Sequence, residues 1–334
     1  MHTNVNVVIP AYKPDQKLIE IFKMMEASSH PVEKIIVMNT VESDDDKEGR
    51  NIIKLSDKHG YTYNKDFIEI IDVNKEDFDH GRTRKEGATH ISKDCDYILF
   101  MTQDAVPYDS ELIKELLNGF SVSDDDGVES SVSKTIIGVS YARQLARETS
   151  SLAEKFTRNF NYPDEDMVKS LKDIETLGIK AFFCSNVCAM YKRDIYESLG
   201  GFIDRAVFNE DMVFANKLIK NGYAIKYASK AKVYHTHDYT GMQQYKRNFD
   251  LAVSQKMNPD AFEGISSESE GVKYVIAAFK FFCKNKRPMQ IIPFGINCVY
   301  KYLGYRKGRR YETLSFKQIM KCTSNKTFFE NGEY

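Results

Sequence analysis

The chain has 334 residues, of which 42% are hydrophobic and 28% are charged, so it can bury the core of one large α/β domain with an extension, or of two domains. Its 47 Lys and Arg nearly balance its 48 Asp and Glu, and a net charge of −1 gives no support for a nucleic-acid or acidic partner. The six cysteines are scattered without paired metal-ligand spacing, no signal peptide precedes the first strand, and no apolar run reaches the roughly 20 residues of a membrane span. These features predict a cytoplasmic protein with reduced thiols.

The first 140 residues alternate apolar, β-forming runs with amphipathic helical patterns. This alternation predicts βαβ units and an open, mostly parallel sheet flanked by helices. The expected strands are 6–12, 34–39, 67–73, 97–101 and 135–141, and further ones follow at 224–227 and 231–237. The Ser- and Asp-rich segment 121–133 is expected to be a flexible loop. Residues 142–180 are mixed and expected to be partly helical.

The stretch from Asp96 to Pro107 places a carboxylate at the end of a buried strand. Residues 97–101 are uniformly apolar, which is typical of a strand buried on both faces. Asp104 follows directly, and Pro107 is expected to end the strand pairing. Because ligands of open α/β sheets bind at the carboxyl ends of strands, Asp104 is a candidate site residue, although a turn or cap role is the alternative.

Two histidines leave the last predicted strand with one residue between them. Alternation along a strand points His235 and His237 to the same face. Asp104 with one of these histidines offers a carboxylate and an imidazole to a divalent cation, Mn²⁺ or Mg²⁺. A structural role for the pair is the alternative.

Glu210 and Asp211 open a predicted helix, 209–221. Acidic residues there complement the helix dipole, which is one interpretation. The other is a carboxylate base that takes a proton from an attacking hydroxyl.

The segment His80–Arg84 lies between a strand and a helix. Gly81, Arg82, Thr83 and Arg84 together offer backbone N–H groups, a hydroxyl and two guanidiniums, which suit phosphate oxygens. It is not a Walker A loop, and a solvated turn is the alternative.

These segments, taken in order, resemble the inverting family 2 glycosyltransferases, and in particular the bacterial rhamnosyltransferases of cell-wall and O-antigen polysaccharide synthesis. The resemblance covers roughly residues 4–240 and rests on seven motifs: VVIPAY (7–12), HGRTR (80–84), TQDA (102–105), FCSN (183–186), LGGF (199–202), NED (209–211) and HTH (235–237). It implies a GT-A fold, a nucleotide-sugar donor and a divalent metal. The usual Asp-x-Asp is replaced here by Gln103-Asp104-Ala105, which leaves one acidic metal ligand.

The resemblance also implies roles for individual residues. Asp211 corresponds to the catalytic base, with Glu210 as the competing candidate, and His237 is favoured over His235 as the contact to metal or diphosphate. The implied contacts to the donor nucleotide and diphosphate are Pro10, Tyr12, Asn39, Gly81, Arg82, Arg84, Gln103 and Asp104. The implied contacts to the acceptor or the donor sugar are Arg143, Gln144, Ser185 and Asn186.

The implied reaction is a single displacement at the anomeric carbon, with transfer of rhamnose from dTDP-L-rhamnose to a cell-surface polysaccharide or a lipid-linked glycan. Three alternatives stay open: a related enzyme that uses a UDP-hexose, a catalytically inactive nucleotide-sugar-binding scaffold, and a nucleotidyltransferase. A nucleotidyltransferase is expected to have a glycine-rich, basic first loop, and residues 11–14 do not form one.

The composition changes after about residue 240, so we expect a glycosyltransferase domain at 1–240 and a mainly helical extension at 241–334. Residues 271–311 contain no Asp or Glu but many Lys, Arg and aromatic residues. One interpretation is a helical layer whose lysines face solvent; the other is a peripheral site for an anionic membrane surface. Nucleic acid is not expected, and a homo-oligomer is left open.

Overall fold

The computed structural model describes residues 3–121, 135–262 and 268–332. The predicted loop at 121–133 therefore lies, apart from its first residue, outside the described residues. Nine strands of the described residues form one sheet. The strands are β1 Val5–Tyr12, β2 Lys34–Val41, β3 Ile68–Asn74, β4 Tyr97–Met101, β5 Val106–Pro107, β6 Ile137–Leu145, β7 Met167–Lys169, β8 Cys188–Lys192 and β9 Ala224–Tyr234.

The sheet has a parallel half and a mixed half. Its order is β3-β2-β1-β4-β8-β6-β9-β5, with β7 also paired to β9. The pairs among β3, β2, β1 and β4 are parallel, whereas β8 runs antiparallel to both β4 and β6. The expected α/β sheet is thus present, and its parallel character is confined to the first four strands and the β6–β9 pair.

Helices cover both faces of the sheet. The helices that precede residue 240 are α1 Gln16–Glu26, α2 Arg50–Lys58, α3 His80–Gly87, α4 Leu112–Asn118, α5 Leu152–Asn161, α6 Ile174–Leu177, α7 Arg193–Ser198 and α8 Glu210–Lys220. Strand alternation divides the core: Leu99 and Met101 of β4 pack on one face with Phe22, while Ile98 and Phe100 pack on the other with Phe214. Strand β4 is therefore buried on both faces, as predicted.

The last third of the described chain is helical, as expected. It comprises α9 Gly241–Met257, α10 Pro259–Phe262, α11 Glu268–Lys284, α12 Ile291–Gly308, α13 Phe316–Cys322 and α14 Lys326–Glu330. Phe249 and Val253 of α9 join Val207, Phe328 and Phe329 in one buried cluster, which fixes α9 and α14 to the body of the protein. Among the described helices, none combines the length and the apolar character needed to cross a lipid bilayer.

Two strand predictions were wrong in detail. Pro107 does not end strand pairing, because Val106 and Pro107 form an edge strand against Tyr234 and Val233 of β9. A proline is tolerated there because an edge strand leaves one row of backbone groups unpaired. The two runs predicted at 224–227 and 231–237 form the single strand β9, which ends before His235.

Close packing of α12 against α9 generates a prediction about two glycines. A Cβ at Gly304 would lie 2.1 Å from the backbone oxygen of Tyr245, whereas a Cβ at Gly295 in the same helix meets nothing within 4 Å. Gly304→Ala is expected to lower the free energy of unfolding by about 1–3 kcal/mol, because the two backbones must separate. Gly295→Ala is expected to raise it by about 0.5–1 kcal/mol, since alanine is the better helix former.

Urea denaturation of both variants checks this pair. Equal free energies of unfolding for the two variants would contradict the close α9–α12 contact.

Candidate active site

A cleft of about 1990 Å³ opens at the carboxyl ends of β1 and β4. Helices α8, α9 and α12 form its opposite walls. This volume is larger than the few hundred to about 1000 Å³ of an ordinary small-molecule site, so two substrates can be accommodated together. Twelve predicted site residues line it: Pro10, Tyr12, Arg84, Gln103, Asp104, Gln144, Ser185, Asn186, Glu210, Asp211, His235 and His237.

Asp104, His235 and His237 come together on one side of the cleft. Their ligand atoms all lie within 4.8 Å of one another. His237 Nε2 is 3.2 Å from Asp104 Oδ2 and 2.9 Å from His235 Nε2. The structure thus brings Asp104 together with both histidines, whereas the sequence favoured His237 alone as its partner.

Gln144 fixes the orientation and the tautomer of His235. The guanidinium of Arg158 donates a hydrogen bond to Gln144 Oε1, and His235 Nδ1 lies 2.9 Å from the same oxygen. A carboxamide oxygen only accepts, so Nδ1 carries the proton. Burial holds the pKa of His235 well below its usual range, and the neutral ring therefore presents a bare Nε2 lone pair to Asp104 and His237. This is the arrangement that a metal-binding imidazole needs.

A buried ion pair lies in the same cleft. Arg84 Nη1 is 3.2 Å from Glu210 Oε1, and both side chains are almost completely buried. Asn186 Nδ2 donates to the same Glu210 oxygen at 3.0 Å, and Tyr191 in turn donates to Asn186 Oδ1 at 2.7 Å. Although burial opposes ionisation, the Arg84 charge keeps the pKa of Glu210 below its usual value, so Glu210 is a carboxylate.

Asp211, the next residue, is held by two backbone donors. Asn186 N–H donates to Oδ2 at 3.1 Å and Met212 N–H to Oδ1 at 2.8 Å. These bonds favour the carboxylate, but burial, and then the negative charge of Glu210, outweigh them and raise the pKa of Asp211 to about 7. A carboxylate with a pKa near neutrality is suited to accept a proton during reaction.

The loop before β8 connects the two clusters. Ser185 Oγ accepts a hydrogen bond from Gln144 Nε2 at 3.0 Å, and Gln144 orients His235. The following residue, Asn186, contacts both Glu210 and Asp211. A displacement of this loop would therefore disturb the imidazole cluster and the acidic pair together.

Four predicted site residues do not line the cleft: Asn39, Gly81, Arg82 and Arg143. Asn39 is fully buried and donates to Asp72 Oδ1 at 2.9 Å and to the backbone oxygen of Asp46. Arg143 pairs with Asp164.

The groups at 80–84 that were predicted to bind phosphate have hydrogen-bond partners within the protein. The N–H groups of Gly81 and Arg82 donate to Asp79 Oδ1 at 2.8 and 3.1 Å, so a side chain already caps this helix. The Arg82 side chain donates to the backbone oxygen of Asp77, and that of Arg84 is paired with Glu210. Sequence alone could not reveal that the acceptors of both guanidiniums lie within the protein.

Gln103 has a structural partner as well. Its carboxamide donates to Tyr12 O and accepts from Tyr12 N–H, each at 2.9 Å, and so joins the ends of β1 and β4. The Tyr12 hydroxyl donates to Glu42 at 2.6 Å. Pro10 lies on the cleft wall beside Tyr12.

Arg247 is a cleft residue that sequence reasoning missed. Its guanidinium stacks on Tyr239 and Phe208, with 4.8 and 5.0 Å to the ring centroids, and Tyr239 stacks on His237. It has no carboxylate partner among the residues that the structure describes. Arg247 lies beyond the motifs and in a helix of mixed character, so the sequence carried no signal for it.

Asn209 and Thr102 were also missed as individual site residues. Asn209 has a left-handed backbone (φ 60°), is 9% exposed, and its Nδ2 makes no hydrogen bond within the described chain. Thr102 Oγ1 is likewise buried without a partner there. Both residues line the cleft, where such groups are available to a ligand.

Comparisons with known proteins show the family to which the chain is similar. Residues 6–200 match the family described as glycosyl transferase family 2. The chain is similar to the O-antigen chain rhamnosyltransferase RfbN of Salmonella typhimurium, with 34% identity over 80% of this chain and 81% of that one. It is also similar to the O-antigen chain rhamnosyltransferase WbaN of Salmonella anatum, with 30% identity over 98% of this chain and 96% of that one.

A structural likeness concerns the fold alone. The mannosyltransferase PcManGT from Pyrobaculum calidifontis, solved in complex with GDP-Man and Mn²⁺, has a TM-score of 0.56 over 93% of this chain and 88% of that chain, at 12% identity. The predicted GT-A arrangement agrees with this likeness.

The buried ion pair generates a prediction about stability. Arg84→Met removes the partner of a buried carboxylate and is expected to lower the free energy of unfolding by about 3–5 kcal/mol. Lys85→Met is the matched control, because Lys85 and Asp204 form a solvent-exposed pair at 2.7 Å that is worth at most about 1 kcal/mol. Chemical denaturation measures both; a loss at Arg84 no larger than that at Lys85 would show that the buried pair does not stabilise the site.

Proposed function

The chain belongs to glycosyl transferase family 2 and is a glycosyltransferase, and we propose that it transfers rhamnose from dTDP-L-rhamnose to a growing O-antigen chain. The observation that carries the proposal is that one cleft combines a three-ligand cluster with a carboxylate of pKa about 7. The names of the two O-antigen rhamnosyltransferase relatives support rhamnose as the sugar and O-antigen as the acceptor. A UDP-hexose donor is the alternative within the family.

The side chains of Asp104, His235 and His237 suit a divalent metal ion. One carboxylate and two imidazoles converge, and the partners of Gln144 leave His235 Nε2 unprotonated. Mg²⁺ prefers oxygen ligands only, whereas a cation such as Mn²⁺ accepts mixed oxygen and nitrogen ligands, so the set favours Mn²⁺. A bound cation would supply positive charge to the donor diphosphate. Asp104, His235 and His237 are the residues that would hold it.

Asp211 is the proposed general base. In the proposed displacement the acceptor oxygen forms a bond to the anomeric carbon, and the bond from that carbon to the diphosphate oxygen breaks. The acceptor's proton passes to the Asp211 carboxylate, and the nucleoside diphosphate leaves with the bonding electrons. Glu210 is less suited to this role, because Arg84 and Asn186 both contact its Oε1, and the charge of Arg84 lowers its pKa and so makes it a weaker base.

The leaving diphosphate also needs positive charge from the protein. Arg84 and Arg82 have partners within the protein, so they are poor candidates for this role. Arg247 faces the cleft, stacks on the ring that stacks on His237, and has no acidic partner in the described ranges. We therefore assign the diphosphate contact to Arg247. The unpartnered Nδ2 of Asn209, next to the acidic pair, is available to a substrate hydroxyl.

Incubation with a panel of nucleotide sugars, Mn²⁺ and an O-antigen fragment tests the function. We expect glycosylated fragment and free dTDP from dTDP-L-rhamnose, and turnover about 10²–10⁴-fold lower in Asp211→Asn with donor affinity retained. Asp204→Asn, the same chemical change at an exposed site, should leave turnover unaffected. Product from UDP-hexoses alone would establish the alternative donor, and donor binding without turnover would mean an inactive scaffold.

Titration calorimetry of dTDP, with and without Mn²⁺, tests the assignment of the diphosphate contacts. Asp104→Asn is expected to abolish the increase in affinity that Mn²⁺ confers. Arg247→Ala is expected to weaken binding about 10–100-fold in both conditions, because a charge-assisted hydrogen bond is lost. Arg287→Ala, a matched change outside the cleft, should have no effect. Wild-type affinity in Arg247→Ala would remove Arg247 from the site.

A further inference from the structure

Helices α11 and α12, joined by a short turn at Pro288–Gln290, form a helical hairpin; its described side chains, 271–310, are called the C-terminal hairpin below. Its inner side is anchored to the protein. Ala278, Phe282 and Phe294 are buried and pack against Phe156 of α5. The hairpin is therefore part of the folded body, and its outer side is a defined surface.

The outer side is unusually apolar. Of the 19 large hydrophobic residues that are exposed in the described chain, 11 lie between residues 272 and 303, which concentrates them on this one element. The exposed hydrophobic residues of α11 lie along one face of that helix, and those of α12 lie mainly along one face of theirs. The residues on these two stripes are Val272, Ile276 and Phe279 in α11, and Ile292, Ile296, Val299 and Leu303 in α12. Val275, which is exposed as well, lines the cleft. Met289, 71% exposed, lies in the turn between the helices.

Among the described side chains of the C-terminal hairpin, 271–310, the charges all have one sign. Lys280, Lys284, Lys286 and Arg287 are exposed beside the apolar stripes, and no Asp or Glu occurs from Gly271 to Tyr311. Apolar side chains bordered by cations alone are complementary to a lipid bilayer with anionic headgroups. A second copy of the chain is a poor occupant, because a symmetric contact would bring these cations against each other.

We propose that the C-terminal hairpin docks the protein on an anionic membrane surface. The apolar stripes enter the boundary between headgroups and acyl chains, and the lysines and arginines contact the headgroups. Tyr274, Lys301 and Tyr305 of the same two helices line the cleft. Docking thereby holds the cleft close to an acceptor that is presented at the membrane. This inference does not depend on which sugar nucleotide is used.

Vesicle co-sedimentation of the full chain tests the proposal. Two vesicle compositions are compared, phosphatidylcholine alone and phosphatidylcholine with phosphatidylglycerol. The wild-type protein is expected to bind the anionic vesicles and to lose binding as added salt screens the charges. Ile296→Asp is expected to lower the partition coefficient about tenfold or more, because a charge replaces an inserted aliphatic side chain.

Leu171→Asp is the matched control: Leu171 is 57% exposed, like Ile296 at 53%, and lies outside the hairpin. It should bind anionic vesicles as the wild type does. Neither residue lines the cleft, so release of nucleoside diphosphate from the donor in solution reports that both variants are folded.

Two results would overturn the proposal. One is equal vesicle binding by Ile296→Asp and the wild type, or no binding by either. The other is a wild-type dimer in analytical ultracentrifugation that Ile296→Asp dissociates while vesicles are not bound, which would make the hairpin a contact between copies of the chain. If the wild-type protein binds anionic vesicles but releases no nucleoside diphosphate from the donor, the result would count against the proposed function and not against membrane docking.

Discussion

The buried ion pair between Arg84 and Glu210 is the contact on which the acidic side of the cleft depends. A carboxylate that is removed from water becomes neutral unless a charge and hydrogen bonds compensate for the lost solvation. Arg84 from α3 and Asn186 from the loop before β8 supply that compensation, so three distant segments meet at one carboxylate. Asp211 has no salt-bridge partner among the described residues, and burial together with the fixed negative charge of its neighbour Glu210 raises the pKa of Asp211 to about 7. Two adjacent acids thus acquire different properties from their surroundings.

The same loop makes the two sides of the cleft interdependent. Ser185 accepts from Gln144, which sets the tautomer of His235, while Asn186 binds the acidic pair. The cluster that would hold a cation and the carboxylate that would take a proton are therefore positioned through one short segment. Such preorganisation is valuable because the groups need not rearrange as charge develops on the diphosphate.

The sequence predicted those features that depend on local pattern. Buried strands, their carboxyl ends, and the acids and histidines that follow them can be recognised from periodicity and from the resemblance to a known family. The sequence therefore predicts Asp104, Asp211 and His237 as site residues, and all three line the cleft. The contacts of long side chains could not be predicted, because they depend on which segments meet in space. Arg84 was expected to bind phosphate and instead pairs with Glu210, while Arg247, in a helix outside every motif, faces the cleft. Pro107 was expected to end strand pairing, since a proline does so in the interior of a sheet but not at an edge.

Burial, and then the negative charge of Glu210 that Arg84 holds in place, raise the pKa of Asp211, the proposed base. The contribution of Glu210 is tested by the pH dependence of kcat/KM in the wild type and in Glu210→Gln, with circular dichroism to confirm that the variant is folded. The base form of Asp211 predominates above its pKa, so the wild-type rate should rise with pH through about 7. His80 does not account for that rise, because burial lowers its pKa to about 4. In Glu210→Gln the negative charge is lost and the positive charge of Arg84 remains, so the rise should move to lower pH. A rise that stays at the same pH in Glu210→Gln, or moves to higher pH, would show that Glu210 does not raise the pKa of Asp211.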